Sequence, residues 1–181
     1  MVIIRTLEQI GTDSDISKGV PTYYAWYEFY PSQMHSISSI TVKPGDVINA
    51  EVSYSGTTFR VTITDTTTGG SYTTTGTVSS AQRSSAEWIA EAPTSMSGVL
   101  PLANFGTAKF GTDNTGVNQT CYATINGQTL PIGGFGTSST PGTSIDEITM
   151  VAKRGGGLKA QPTALSPDDT SFTVKWYNTG P

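Results

Sequence analysis

Between Thr58 and Asp65 the chain alternates without a break: Phe59, Val61 and Ile63 are apolar, and Thr58, Arg60, Thr62 and Thr64 between them are polar. Successive side chains of an extended strand point to opposite faces, so this period of two predicts a half-buried β-strand. The residues at 67–70, TTGG, predict a turn into a further strand, SYTTTGTV. Upstream, Val42 precedes the turn sequence KPGD, and Ile48, Ala50, Val52 and Tyr54 alternate after it. Together these segments predict one meander of three or four antiparallel strands.

The second half repeats the style. TCYATINGQTLPI carries an Asn126-Gly127 pair between alternating runs, the strongest short hairpin signal. SIDEITMVAK and SFTVKWYN supply two further strands, the second with Phe172, Val174 and Trp176 on one face. No segment has the periodicity of an amphipathic helix. About ten strands in a chain of this length predict an all-β fold, an antiparallel two-sheet β-sandwich formed as a single domain over residues 1–181.

Two segments depart from simple alternation. YYAWYEFYP, residues 23–31, is apolar or aromatic on both faces, with Glu28 on the face of Tyr24, Trp26 and Tyr30. A strand covered on both sides reads this way, and so does one lining an aromatic groove. SAEWIAE predicts a second such strand, with Ala86, Trp88 and Ala90 on one face and Glu87, Ile89 and Glu91 on the other.

Composition narrows the function. Only 13% of the residues are charged and the net charge is -4, so no basic surface is available for a nucleic acid or an anionic membrane. No apolar run approaches the length of a membrane span. One cysteine and one histidine leave neither a disulfide framework nor a multi-histidine metal site, and no cofactor or metal is expected. With so few charges, protonating the carboxylates creates little self-repulsion, which is compatible with work in acid. The apolar stretch of MVIIRTLEQIG is too short for a secretory signal, so a secreted protein is expected whose signal has been removed, or a chain that begins inside a longer one.

Several chemistries lack their residues. No Gly-x-Ser-x-Gly elbow occurs, and Asp65 is followed by Thr66-Thr67 rather than by the Thr/Ser-Gly of an aspartic-protease loop. His35 falls in PSQMHSISS, a polar segment that reads as a loop holding a solvated histidine. KRGGGLK lacks the helix that a phosphate-binding loop requires. What remains is carboxylates and amides. A carboxylate on an aromatic-walled strand is costly to bury unless it is paired or functional, which singles out Glu28 and Glu87. On residue type alone, a structural role, accepting hydrogen bonds from a neighbouring strand or reaching solvent at an edge, stays open and is slightly favoured.

LEQIGTDSD, YYAWYEFYP, SSAEWIAEAP and LPLANFGTAKF follow one another in this order, and in that arrangement the chain resembles the glutamic peptidases of the eqolisin family (peptidase family G1), bacterial members above all. The resemblance runs from about Leu7 to the last strand near Trp176. It implies a concanavalin-like jelly roll whose concave face carries the active site, and endopeptidase activity in acid on protein or peptide substrates. Carried over by motif, the catalytic pair is Gln9 of EQIG and Glu87 of SAEWIAE. Asp13, Tyr24, Trp26, Glu28, Trp88 and Glu91 are the implied supporting and substrate-binding residues. Members of the family have further strands before the glutamine, so the resemblance also implies a missing N-terminal segment or light chain as partner.

The chemistry of such a pair is coherent. Peptide hydrolysis without a metal or a covalent nucleophile needs a base to activate water and a donor to hold the developing oxyanion. Glu87 supplies the base and then the acid for the leaving amine, and the Gln9 carboxamide supplies the donor. Two other readings compete: a glycoside hydrolase using Glu28 and Glu87 as paired carboxylates, and a secreted, non-catalytic binding module.

Overall fold

The computed structural model describes residues 6–95, 98–137, 139–140, 142–153 and 155–180. The chain divides into two compact units, Met1–Ser85 and Ala86–Pro181.

The first unit contains β1 (Leu7–Ser17), β2 (Val20–Tyr30), β3 (His35–Ile37), β4 (Ile48–Ser55), β5 (Thr58–Asp65) and β6 (Ser71–Gly76). They form two antiparallel sheets, β1-β2-β3 and β4-β5-β6. β1 and β2 pair along their whole length, from Leu7 opposite Tyr30 to Ser17 opposite Val20. Lys18 and Gly19 join them with φ of 52° and 81°, and two positive φ values in a two-residue loop match the twist of the flanking strands. The β4-β5-β6 sheet is the expected meander, and Phe59, Val61 and Ile63 are buried as their alternation requires. Ala25, Ile37, Ile40 and Ile63 form the centre of this core, with Ile10, Tyr27, Val42, Ile48 and Tyr72 packed around it.

β1 is absent from the alternation reading because the face that begins with Glu8 and Ile10 continues through Thr12, Ser14 and Ile16, which are exposed; its long pairing with β2 supplies the missing stabilisation. His35 is a correction. It opens β3 opposite Tyr27 rather than lying in a loop, and its ring stacks on Tyr27 with centroids 5.1 Å apart while remaining exposed.

The second unit contains β7 (Thr94–Ser95), β8 (Gly98–Val99), β9 (Thr107–Gly111), the one-turn α1 (Thr112–Thr115), β10 (Tyr122–Ile125), β11 (Gln128–Pro131), β12 (Met150–Val151), β13 (Leu158–Pro162) and β14 (Ser171–Trp176). Its largest sheet has the order β12-β13-β14-β9. Asn126 and Gly127, at φ 53° and 78°, turn the β10-β11 hairpin as predicted. Leu102, Cys121, Ala160, Phe172 and Val174 are its core. Burial raises the Cys121 thiol to about 11, so this cysteine is an inert packing residue.

Two predicted strands differ here. SIDEITMVAK forms a strand only at Met150–Val151. SAEWIAE forms none: residues 86–93 have no ladder, although Trp88, Ala90 and Ala92 pack against the second core. Alternation in that segment reports burial on one side, and backbone pairing did not follow from it. KRGGGLK runs into strand β13, whose first residues are Leu158 and Lys159, rather than into a helix; its Arg154 lies outside the described residues.

Candidate active site

The long register of β1 and β2 decides which side chains meet. Gln9 lies opposite Glu28, Gly11 opposite Trp26, Asp13 opposite Tyr24 and Asp15 opposite Thr22. Residues directly opposite share a face of an antiparallel pair, so these form a single file. Ile10, Ala25 and Tyr27 occupy the other face and belong to the core of the first unit. The polar file is therefore turned away from that core.

At one end of the file Gln9 Nε2 donates to Glu28 Oε2 at 2.6 Å. A carboxamide held by one of its two N–H groups keeps its orientation while the second N–H and the carbonyl oxygen stay available. Next along, the position a Gly11 Cβ would take is 3.9 Å from Trp26 Cζ2 and Nε1, so the indole lies across the glycine. Trp26 Nε1 is shielded from solvent and has no hydrogen-bond partner among the described residues. Beyond it, the Tyr24 hydroxyl is 3.1 Å from Asp13 Oδ2 and 3.0 Å from Asp15 Oδ2, one proton shared between two carboxylates. Burial first, then the Asp13 charge and the hydrogen bonds to Asp13 and Asp15, push the phenol well above its ordinary value, so Tyr24 stays a donor.

Gln9, Asp13, Tyr24, Trp26 and Glu28 are thus brought together on one face of one ribbon. Asp15 and Gly11 belong to the same file and escaped the sequence reading. Their signal was parity: read as a strand, LEQIGTDSDIS places residues 9, 11, 13 and 15 on one side. Glu87, Trp88 and Glu91 belong to the second unit. There Trp88 is half-buried against the core, and Glu87 and Glu91 are exposed on the other side of the segment. The expected opposition of Trp88 and Glu87 holds without a strand to enforce it. Among the described residues no group of three or more His, Cys, Asp or Glu side chains is gathered as a metal site.

Residues 4–144 match the model of the Peptidase A4 family. The chain belongs to that family. Within it, Aspergillopepsin-2 of Aspergillus niger is 36% identical over 106 residues, 56% of this chain and 38% of that protein. The chain therefore spans well under half the length of this curated relative. The crystal structure of aspergilloglutamic peptidase from Aspergillus niger superposes with a TM-score of 0.71 at 26% identity, covering 95% of this chain and 90% of that one. Scytalido-glutamic peptidase, solved with a transition state analog inhibitor, shares the fold at a TM-score of 0.65 and 18% identity, covering 96% of this chain and 77% of that one. This Peptidase A4 member accordingly has the antiparallel β-sandwich class expected from its sequence, and its family is the one the ordered motifs resemble.

Proposed function

We propose that this Peptidase A4 member is an acid-active endopeptidase that hydrolyses peptide bonds with Gln9 and Glu87 and an activated water. The observation that carries the reading is the 2.6 Å bond from Gln9 Nε2 to Glu28 Oε2. An oxyanion donor is effective only when it is fixed before the charge develops, because reorientation during the reaction would consume what the interaction yields. Glu28 fixes Gln9 in that sense. The second Nε2 hydrogen then serves the oxyanion, and Oε1 accepts from the attacking water. Glu87 takes the proton of that water and delivers it to the leaving amine.

The rest of the file suits an extended peptide. Tyr24 and Trp26 offer it aromatic surface. Family membership favours this reading over a glycoside hydrolase or a non-catalytic binding module. An extracellular, acidic setting belongs to the same proposal, supported by a composition in which only 13% of residues are charged. The N-terminal segment or light chain that the sequence resemblance implies as a partner belongs to the same proposal.

The test is hydrolysis of an acid-denatured protein by the purified chain, with Gln9→Ala and Glu87→Gln beside it. Loss of one oxyanion donor is expected to lower kcat by about 10²–10³-fold, and loss of the base to abolish turnover. A near-normal rate in either variant overturns the assignment.

A further inference from the structure

Glu8 stands next to Gln9 on β1 and therefore on the opposite face, directly across from Phe29. That face is the one whose neighbours, Ile10 and Tyr27, pack into the first core, and β1 lies against β4 and β5 there. Glu8 Oε1 is shielded from solvent and has no hydrogen-bond partner among the described residues. Glu8 as a whole is half-buried, and a shielded, unpartnered carboxylate oxygen is less costly when the group is neutral.

Among the described residues, the groups turned toward this layer do not supply a counter-charge. β2 contributes Tyr23 and Tyr27, β4 Tyr54, β5 Asp65 and β6 Tyr72. His35 of β3 is stacked on Tyr27. Arg83 is engaged over the Tyr54 ring, its Cζ 4.1 Å from the centroid. Asp65 is occupied by Thr67 and Thr68. Asp13 and Asp15 of β1 itself are on the far face with Tyr24. Two influences act on Glu8: burial, which raises its proton affinity above the ordinary carboxylate value, and a lesser backbone hydrogen bond, which lowers it.

We propose that Glu8 is a proton-dependent latch on the strand that carries Gln9: its neutral carboxyl lets β1 dock on β4 and β5, and its ionisation opposes that docking. The sign follows from linkage. A carboxyl whose folded pKa is raised binds more protons folded than unfolded, so the stability it allows is fully present below its unfolded value and lost as pH rises through the folded one. In acid the ribbon is locked, and toward neutrality β1 loosens. The consequence for catalysis rests on the proposed role of Gln9, but the latch itself is read from the fold.

The experiment compares the full chain with Glu8→Gln and Glu8→Leu, following thermal unfolding and amide hydrogen exchange of β1 at about pH 4 and about pH 7. The wild type is expected to lose melting temperature and β1 protection between the two conditions. In the variants the fall in melting temperature is expected to be smaller by about 3 °C or more. Glu8→Leu keeps the test decisive if the buried amide of Glu8→Gln prevents folding. An equal fall in wild type and variant overturns the latch, as does wild-type β1 protection that is the same at both pH values. Neither readout involves proteolysis, so an inactive but pH-latched chain separates this proposal from the assignment of Gln9 and Glu87.

Discussion

Gln9 and Glu28 face each other directly across β1 and β2, and the glutamine amide nitrogen donates to the carboxylate at 2.6 Å. The register places the pair; the hydrogen bond fixes which way the carboxamide points. Removing the acceptor should leave Gln9 present but misaimed. Glu28→Ala is expected to lower kcat by about 10²-fold with little change in KM, because a small misplacement is felt in the transition state rather than in ground-state binding. Glu28→Gln keeps an acceptor oxygen and should recover a large part of the loss. Steady-state kinetics on a peptide substrate check this; a change confined to KM would instead make Glu28 a substrate-binding residue.

The Tyr24 hydroxyl holds together two carboxylates that would otherwise repel across one strand face. Tyr24→Phe should destabilise the first unit by about 1–3 kcal/mol near neutral pH, the range for loss of a hydrogen bond to a charged group. Urea denaturation of both proteins at neutral pH measures it.

Asp65 closes the turn after β5. Its Oδ1 accepts from the Thr67 and Thr68 amides at 2.9 and 3.2 Å, and its Oδ2 accepts from the Thr68 hydroxyl at 2.6 Å. The Thr68 hydroxyl above all, and the two amides after it, hold the carboxyl below its ordinary value of 3.8 despite its burial. A depressed folded pKa means stability that is present above the unfolded value and lost as pH falls through the folded one. Asp65→Ala should therefore be destabilising at neutral pH, with the gap to wild type narrowing below about pH 3.8. Denaturation midpoints across that range decide the matter; a gap that stays constant into strong acid would mean the turn is held by something other than the ionised form.

Two glycines separate a soft clash from a hard one. A Cβ on Gly76 would meet the Phe29 ring at 2.7–2.9 Å, a clash with a side chain and not with backbone. A Cβ on Gly111 would lie 2.0 Å from the Thr170 carbonyl oxygen, at a φ of 95° that side chains rarely adopt. Gly76→Ala is expected to cost about 1–3 kcal/mol and Gly111→Ala about 3 kcal/mol or more. Equilibrium unfolding of the two variants side by side should rank them in that order.

Alternation read correctly wherever a strand's apolar face is continuous, as in Phe59, Val61 and Ile63 or Phe172 and Val174, because each side chain then reports its own burial. It failed at β1, where the face that carries Glu8 and Ile10 continues into the exposed Thr12, Ser14 and Ile16. That strand is made by the partner it pairs with. It failed in the other direction at residues 86–93, where Trp88 and Ala90 are packed as their period suggests and no neighbouring backbone completes a ladder. Hydrophobic period is a local quantity, and pairing requires a second strand that the period cannot name.

The sequence by itself determined the class of the protein, its hairpin turns and, through four ordered motifs, its family, and it singled out Gln9, Glu28 and Glu87 as the candidate site residues. The tertiary structure decided what those side chains touch. Only the β1-β2 register sets Gln9 against Glu28, lays Trp26 over Gly11 and gives Tyr24 both Asp13 and Asp15 as acceptors. The same register turns Glu8 to the face of Ile10 and Tyr27, where one of its carboxylate oxygens is shielded from water. A residue's chemistry is written in its type, but its proton affinity and its aim come from neighbours distant in the chain, and these exist only once the strands have paired.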